Sequence, residues 1–387
     1  MIKVNPEEFI VVEKAILPLT SAGAFLVYRL RKRGLTTEEA CRLLARKFQL
    51  PFSSISYGGR KDKHGLTTQY IAIHSPLDCT LQERNLEVEP IGYMDRPMGP
   101  DLIQGNSFRL VIRRLENIDY VLENIEEVKA FGLPNFFDDQ RFRSYDPQRG
   151  FFAEKILRRH WNGALQVYLT SITASMRKRE KERRRAWLEN WKNWRQCLEI
   201  ARRPAEKKIF STLVSHPERL KEALGSIPPQ EVSFLYASYQ AHLWNELLRR
   251  LIRARVKSPL LSVAGKEGEY LFWRQMEAET TAYFSSLQLP NAARTMEFPD
   301  ELSRSVFEEI LKEKGLTYSS FRTKALRLVS FRSFLRPAAL FPSDLEVVES
   351  SDDELYPGKK KLTLSFSLGR GSYGTMLIKR LTISHAS

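Results

Sequence analysis

A chain of 387 residues, 42% hydrophobic and 11% aromatic, can bury a full-sized core, and its length predicts two domains. The formal charge of +15, from 61 Lys and Arg against 46 Asp and Glu, makes a polyanion such as nucleic acid the leading partner, although a basic excess also serves solubility alone. No apolar run of about 18 residues reads as a membrane span, Met1 to Phe9 lacks the layout of a signal peptide, and a cytoplasmic address is expected by default.

Early in the chain, Thr36-x-x-Glu39 is a capping box that starts a helix, with Ala40, Leu43, Leu44 and Phe48 on one face and Arg42, Arg46 and Lys47 on the other. Two half-buried strands follow. Thr68 to His74 alternates Gln69, Ile71 and Ile73 against Tyr70, Ala72 and His74, and Phe108 to Arg113 sets Phe108, Leu110 and Ile112 against Arg109, Val111 and Arg113. From about Phe152 to Phe334 amphipathic helical patterns dominate, as in Tyr236, Leu243, Leu247 and Leu251, and strand alternation is nearly absent. Leu362, Leu364, Phe366 and Leu368 then alternate with Thr363, Ser365 and Ser367 as a strand. The simplest organisation is an α+β sheet domain of residues 1–155 plus 335–387, interrupted by a mainly helical insert at 156–334.

Within that insert Arg177 to Arg185 is a basic run, followed at helical spacing by Trp187, Trp191 and Trp194. Such a helix can lie along an RNA backbone, or be a solvated face with ordinary core tryptophans. Cys41, Cys79 and Cys197 are odd in number and far apart, and the six histidines are scattered. Neither a disulfide framework nor a metal site is predicted.

Tyr57 to Gln69 reads Tyr-Gly-Gly-Arg-Lys-Asp-Lys-His-Gly-Leu-Thr-Thr-Gln and leads into the Gln69 strand. A glycine-rich turn before a strand places polar side chains at a sheet end, where Asp62 can project into a cleft. Arg60, Lys61 and Lys63 surround it, and cations favour the ionised form of a carboxylate. Taken alone, a basic-flanked Asp in a loop is more often a surface ion pair than a catalyst.

The same segment resembles the G-x-K-D-x-x-x-x-T-x-Q signature of the TruD family of pseudouridine synthases. Four further blocks agree in order: Lys3 to Glu13, Gly105-Asn106-Ser107-Phe108, Leu133 to Phe142 (Leu-Pro-Asn-Phe-Phe-Asp-Asp-Gln-Arg-Phe), and Leu364 to Thr375. A weaker similarity surrounds Ser238 to Asn245. Asp138 stands where the family usually has Gly, Arg143 where Gly often follows, and Gly65 and Gly374 where Ala is commoner; the two glycines read as conservative changes, whereas Asp138 adds a charge at the expected cleft.

The resemblance implies a pseudouridine synthase-type catalytic domain with a central antiparallel or mixed β-sheet flanked by helices, carrying a largely helical inserted TRUD domain. It implies isomerisation of uridine to pseudouridine in tRNA, the family's usual target being uridine 13 of the D-arm, with no cofactor and no metal. Asp62 matches the catalytic aspartate, Phe137 the aromatic that stacks on the target base and Asn135 the amide that orients substrate and carboxylate. Phe9 and Phe366 match further pocket positions, and Lys3 a basic residue that balances Asp62. Candidate contacts to the RNA backbone are Arg60, Lys61, Lys63, Arg141, Arg183, Arg184 and Arg185. A flipped base needs an aromatic face and a basic surround, which gives these residue types a mechanical reason to coexist. The rival reading is a non-catalytic RNA-binding protein on the same scaffold, against which the intact Asp62, Asn135 and Phe137 set speaks. A methyltransferase would need a glycine-rich cofactor loop between strand and helix, which the sequence does not offer. No heptad pattern argues for a coiled-coil dimer, so a monomer is expected.

Overall fold

The structure, a computed structural model, describes residues 2, 4–75, 77–174, 176–322 and 329–384. The chain forms two compact units, residues 1–133 with 340–387 and residues 134–339. The boundaries expected at 155 and 335 therefore fall instead at 133 and 339. The physical reason is local: Asn135 N–H donates to Ala338 O at 2.9 Å, and the helix Phe152–Leu157 packs on helices Trp161–Thr170 and Pro229–Arg255.

In the first unit the strands are β1 (Phe9–Ala15), β2 (Phe25–Arg33), β3 (Ile55–Tyr57), β4 (Leu66–Ile73), β5 (Leu81–Glu83), β6 (Leu86–Met94), β7 (Ile103–Leu115), β8 (Ser343–Asp352) and β9 (Lys360–Gly369). Among the described residues they form one nine-stranded sheet in the order β8-β9-β7-β1-β4-β2-β6-β5, with β3 added to β4. β1 and β4 run parallel, Ile10 opposite Leu66, and the other pairs are antiparallel, so the sheet is mixed. Both strands expected early in the chain are present, the second extended in β7 to thirteen residues. In β9, Leu362, Leu364, Phe366 and Leu368 are all buried, and Thr363 and Ser367 on the other face are buried too.

The helix Thr37–Lys47 starts at the expected capping box: Glu39 N–H donates to Thr36 Oγ1 at 3.1 Å and Thr36 N–H to Glu39 Oε2 at 2.7 Å. Ala40, Cys41, Leu44 and Ala45 pack on Tyr28, Leu30, Ile71 and Ile73 of the sheet. Leu43, expected on the same face, is 44% exposed, because Cys41 and Ala45 complete the buried stripe in its place. Helices Asp119–Phe131 and Gly374–Leu381 pack together, and Arg380, fully buried on the second, reaches Asn124 and Glu127 on the first. Arg113 of β7 holds Glu8 at 2.8 Å and Asp353 at 2.6 Å, which ties the N-terminal turn and the C-terminal hairpin to the middle of the sheet.

The second unit is mainly helical, built around the 27-residue helix Pro229–Arg255, with Tyr236, Leu243, Leu247 and Leu251 buried as the periodicity predicts. Strands are less scarce there than the sequence suggested. Leu261–Ala264 pairs with Glu269–Phe272, and Gln288–Pro290 with Leu335–Pro337. These pieces are three or four residues long, too short to show a period of two; Tyr270, Leu271 and Phe272 are all buried.

Candidate active site

Asp62 lies on the loop between β3 and β4, partly exposed, and the loop is held by side chains from four elements. Thr37 Oγ1, at the start of its helix, accepts from Lys61 N–H at 2.8 Å and donates to Gln69 Oε1 at 2.7 Å. Gln69 Nε2 in turn donates to Gly59 O at 3.3 Å. Lys32 of β2 donates to Leu35 O at 2.7 Å and Asp62 O at 2.8 Å, with Lys61 O at 3.5 Å. Lys61 points inward and pairs with Glu13 of β1, whose second carboxylate oxygen accepts from Tyr70 N–H at 3.1 Å. The bonds to Gly59 O, Lys61 N–H, Lys61 O and Asp62 O fix the main chain at and before Asp62, and the others hold the side chains that make them. The Asp62 backbone is placed by packing rather than left to a mobile turn.

The loop ends at Gly65, where φ is +151° and a Cβ would stand 2.6 Å from Phe9 O. Alanine there would be strained and in collision with main chain, so in this protein Gly65 is required rather than a conservative change. At Gly374 the nearest atoms to an added Cβ would be those of the Phe108 ring, at 3.3 Å and beyond. Phe9, Phe108 and Phe366 form a buried aromatic row across β1, β7 and β9. Phe108 and Phe366 stack at 5.0 Å between centroids, and Phe9 stands edge-on to Phe108 at 6.4 Å. The structure thus brings Asp62, Lys61, Lys63, Phe9 and Phe366 into one unit. Lys3 lies outside the described residues.

In the second unit Asn135 and Phe137 share one segment, and both are buried. Asn135 Nδ2 donates to Pro337 O at 3.0 Å, and Arg336 Nη2 donates to Asn135 Oδ1 at 2.8 Å and to Asn135 O at 2.7 Å. The same guanidinium lies 4.1 Å from the centroid of the Phe137 ring. Phe137 is edge-on to Trp244 at 5.4 Å, and its main chain exchanges two hydrogen bonds with Asn245, at 2.8 and 3.0 Å. Asn245 is itself held by Glu267, which pairs with His242. Asp138 is buried, and its carbonyl accepts from Arg141 N–H at 2.8 Å in the turn that follows. Asp139 accepts from Lys266 N–H at 2.8 Å and Tyr270 OH at 2.9 Å.

The candidate phosphate contacts divide. Arg60 and Arg185 are exposed, Lys63 is exposed and bound to Glu39 at 3.0 Å, and Arg141 is half-buried, 5.4 Å from the Phe137 ring. Lys61 is 8% exposed and committed to Glu13. Arg183 and Arg184, at 15% and 13% exposed, pair with Glu180, and Arg183 also reaches Glu206 at 3.3 Å. Arg184 further donates to Tyr168 O at 2.8 Å. Lys61, Arg183 and Arg184 are spent inside the protein, the two arginines because helix Lys178–Glu189 turns that face onto its neighbours. Trp187 and Trp194 are core residues packed on Phe210, as the plainer reading of the run supposed.

Sequence reasoning missed the residues that hold the candidates in place: Lys32, Glu13, Arg336 and Asn245. Lys32 was detectable as a lysine at an inward position of β2, between outward Arg31 and Arg33. Glu13 lay within the first family-like block, and Asn245 closed the weaker Ser238 to Asn245 block. Arg336 carried no local signal.

A family model described as tRNA pseudouridine synthase D (TruD) matches residues 1–381. The chain is 30% identical over 383 residues to a protein of Methanococcus maripaludis named "Probable tRNA pseudouridine synthase D 1", with 97% of each chain covered. It is 32% identical over 387 residues to "Probable tRNA pseudouridine synthase D 2" of Methanocaldococcus jannaschii, covering 98% of this chain and 90% of the relative. In fold it is similar to a crystal structure assigned as tRNA pseudouridine synthase D from Methanosarcina mazei, with a TM-score of 0.72 at 24% identity, covering 98% of this chain and 92% of that one. Matched along nearly its whole length, the chain belongs to the TruD family of tRNA pseudouridine synthases.

Proposed function

We propose that this protein isomerises uridine to pseudouridine in tRNA, at uridine 13 of the D-arm, with Asp62 as the catalytic carboxylate. The observation that carries the reading is the bracing of the Asp62 loop: Thr37, Lys32, Gln69 and the Glu13 to Lys61 pair are buried polar groups whose bonds converge on residues 59–62. Buried polar networks cost stability unless fully satisfied, and holding a catalytic group to within about 0.5 Å is a reason to keep one.

In the reaction the C1′–N1 bond breaks, the uracil turns and C5 bonds to C1′. The C5 proton leaves and N1 gains one, so atoms and electrons balance without an external reagent. Asp62 acts at the sugar or the base. Phe137 supplies the ring against the target base, and Asn135, whose Oδ1 keeps a second lone pair beside its bond from Arg336, supplies an orienting amide. Phe9 and Phe366 pack on Phe108 as a buried aromatic row within the first unit.

The test of target and position is pseudouridine mapping on unmodified tRNA transcripts carrying U or C at position 13. Pseudouridine at position 13 of the U form, and none in the C form, is the expected result. Pseudouridine at another tRNA position would retain the activity and overturn the site; none in either transcript would favour a non-catalytic RNA-binding role.

A further inference from the structure

β2 alternates outward Arg29, Arg31 and Arg33, paired with Glu89, Glu87 and Glu7, against inward Tyr28, Leu30 and Lys32. The first two inward residues are core, and the third is a lysine that is 1% exposed. An apolar residue at that register would cost nothing in desolvation, whereas burying an ammonium is expensive unless its donors are satisfied. Here they are, by carbonyls of two separate loops: Leu35 at 2.7 Å in the turn after β2, and Asp62 at 2.8 Å with Lys61 at 3.5 Å in the loop before β4. Lys32 thus joins the turn that launches helix Thr37–Lys47 to the main chain of Asp62 itself.

We propose that Lys32 is a positioning residue for the reaction, fixing Asp62 through its backbone carbonyl and adding a buried positive charge close to that residue. The proposal rests on the reading of Asp62 as the catalytic carboxylate. Four titratable groups face the ammonium: Asp62 and Glu39, which favour its charge, Lys61, which opposes it, and Cys41. Burial outweighs them and lowers Lys32 to about 8 from the ordinary lysine value. Below that pH the group is charged and donates three bonds; above it one donor and the charge are lost. Loss of that proton weakens the hold on the Asp62 carbonyl, so the rate is expected to fall on the alkaline side.

The experiment measures single-turnover pseudouridine formation from about pH 6.5 to about pH 9.5, together with tRNA affinity, for the wild type, Lys32→Met, Lys32→Arg and Asp62→Ala. Lys32→Met is expected to lose about 100-fold in rate, the scale of a misplacement of about 1 Å, with tRNA affinity within about threefold of wild type. Its profile loses the fall near pH 8. Lys32→Arg, always charged and still a donor, recovers most of the rate and also lacks that fall. A Lys32→Met enzyme within about threefold of the wild-type rate, or one that keeps the alkaline fall at the same midpoint, overturns the proposal. If Lys32→Met does not fold, Lys32→Arg decides, and an unchanged fall in that variant is equally fatal. An active Asp62→Ala instead sinks the reading of Asp62, whereas an inactive Asp62→Ala beside an unimpaired Lys32→Met sinks only the role of Lys32.

Discussion

The ion pair beneath the Asp62 loop yields an asymmetric stability prediction. Glu13 is fully buried through its side chain and Lys61 is 8% exposed. Breaking a buried pair by removing one partner costs about 3–5 kcal/mol when the remaining charge cannot reach water. Glu13 cannot, being short and on an inner strand of the sheet, so Lys61→Met should cost in that range of about 3–5 kcal/mol, its carboxylate left with only Tyr70 N–H. Lys61 can, because its four-carbon stem is long and already near the surface. Glu13→Gln keeps an acceptor for Tyr70 N–H and should cost only about 1–2 kcal/mol. The double variant Glu13→Gln with Lys61→Met should recover about 1–3 kcal/mol relative to the sum of the singles. Urea denaturation at neutral pH, with the denaturant slope checked for constancy, measures all three. A Glu13→Gln loss equal to or larger than that of Lys61→Met would refute the argument from burial, as would losses below about 0.5 kcal/mol for both.

Arg336→Lys keeps the charge but loses the planar fork that serves Asn135 O, Asn135 Oδ1 and the Phe137 ring together; kcat/KM should fall about 10- to 100-fold, and an unchanged value would detach Arg336 from the site. On helix Lys178–Glu189, Arg183→Glu and Arg184→Glu should destabilise the second unit by about 2 kcal/mol or more in thermal or urea melts, since each sets a second, largely buried carboxylate against Glu180. Arg185→Glu should leave stability within about 0.5 kcal/mol and lower tRNA affinity, with the salt dependence reduced by about one unit of slope. Unchanged affinity would make that helix a solvated face.

The sheet strands and the helix Thr37–Lys47 were legible because their signals are local: alternation in Leu362 to Leu368, a capping box at Thr36, Ala40 and Leu44 one turn apart. The pieces Glu269–Phe272 and Leu335–Pro337 were not, since three or four residues carry no period, and the partner of the second, Gln288–Pro290, lies far off in sequence. The unit boundary was misplaced for a related reason. Residues 134–155 read as a continuation of the sheet domain, yet what they touch, Ala338 and Asn245, is distant in the chain. At the site, Asp62 and its neighbours stood out by residue type and order, but charge alone could not separate Lys61, turned in toward Glu13, from Arg60, turned out to solvent. The same limit applied to Arg183, Arg184 and Arg185, where the helix face decides which arginine meets water. Arg336 acts on the main chain of a segment about two hundred residues away, which no local pattern records; Lys32 stands out locally as an inward lysine of β2, but its bond to Asp62, about thirty residues on, does not.

The most direct measurement of the central claim is tritium release from tRNA carrying C5-tritiated uridine, with the wild type and Asp62→Ala side by side and both shown to melt cooperatively. Release by the wild type, stoichiometric with one uridine per tRNA, and none by Asp62→Ala is the result the braced loop predicts. Release by a folded Asp62→Ala, or none by the wild type, would contradict it.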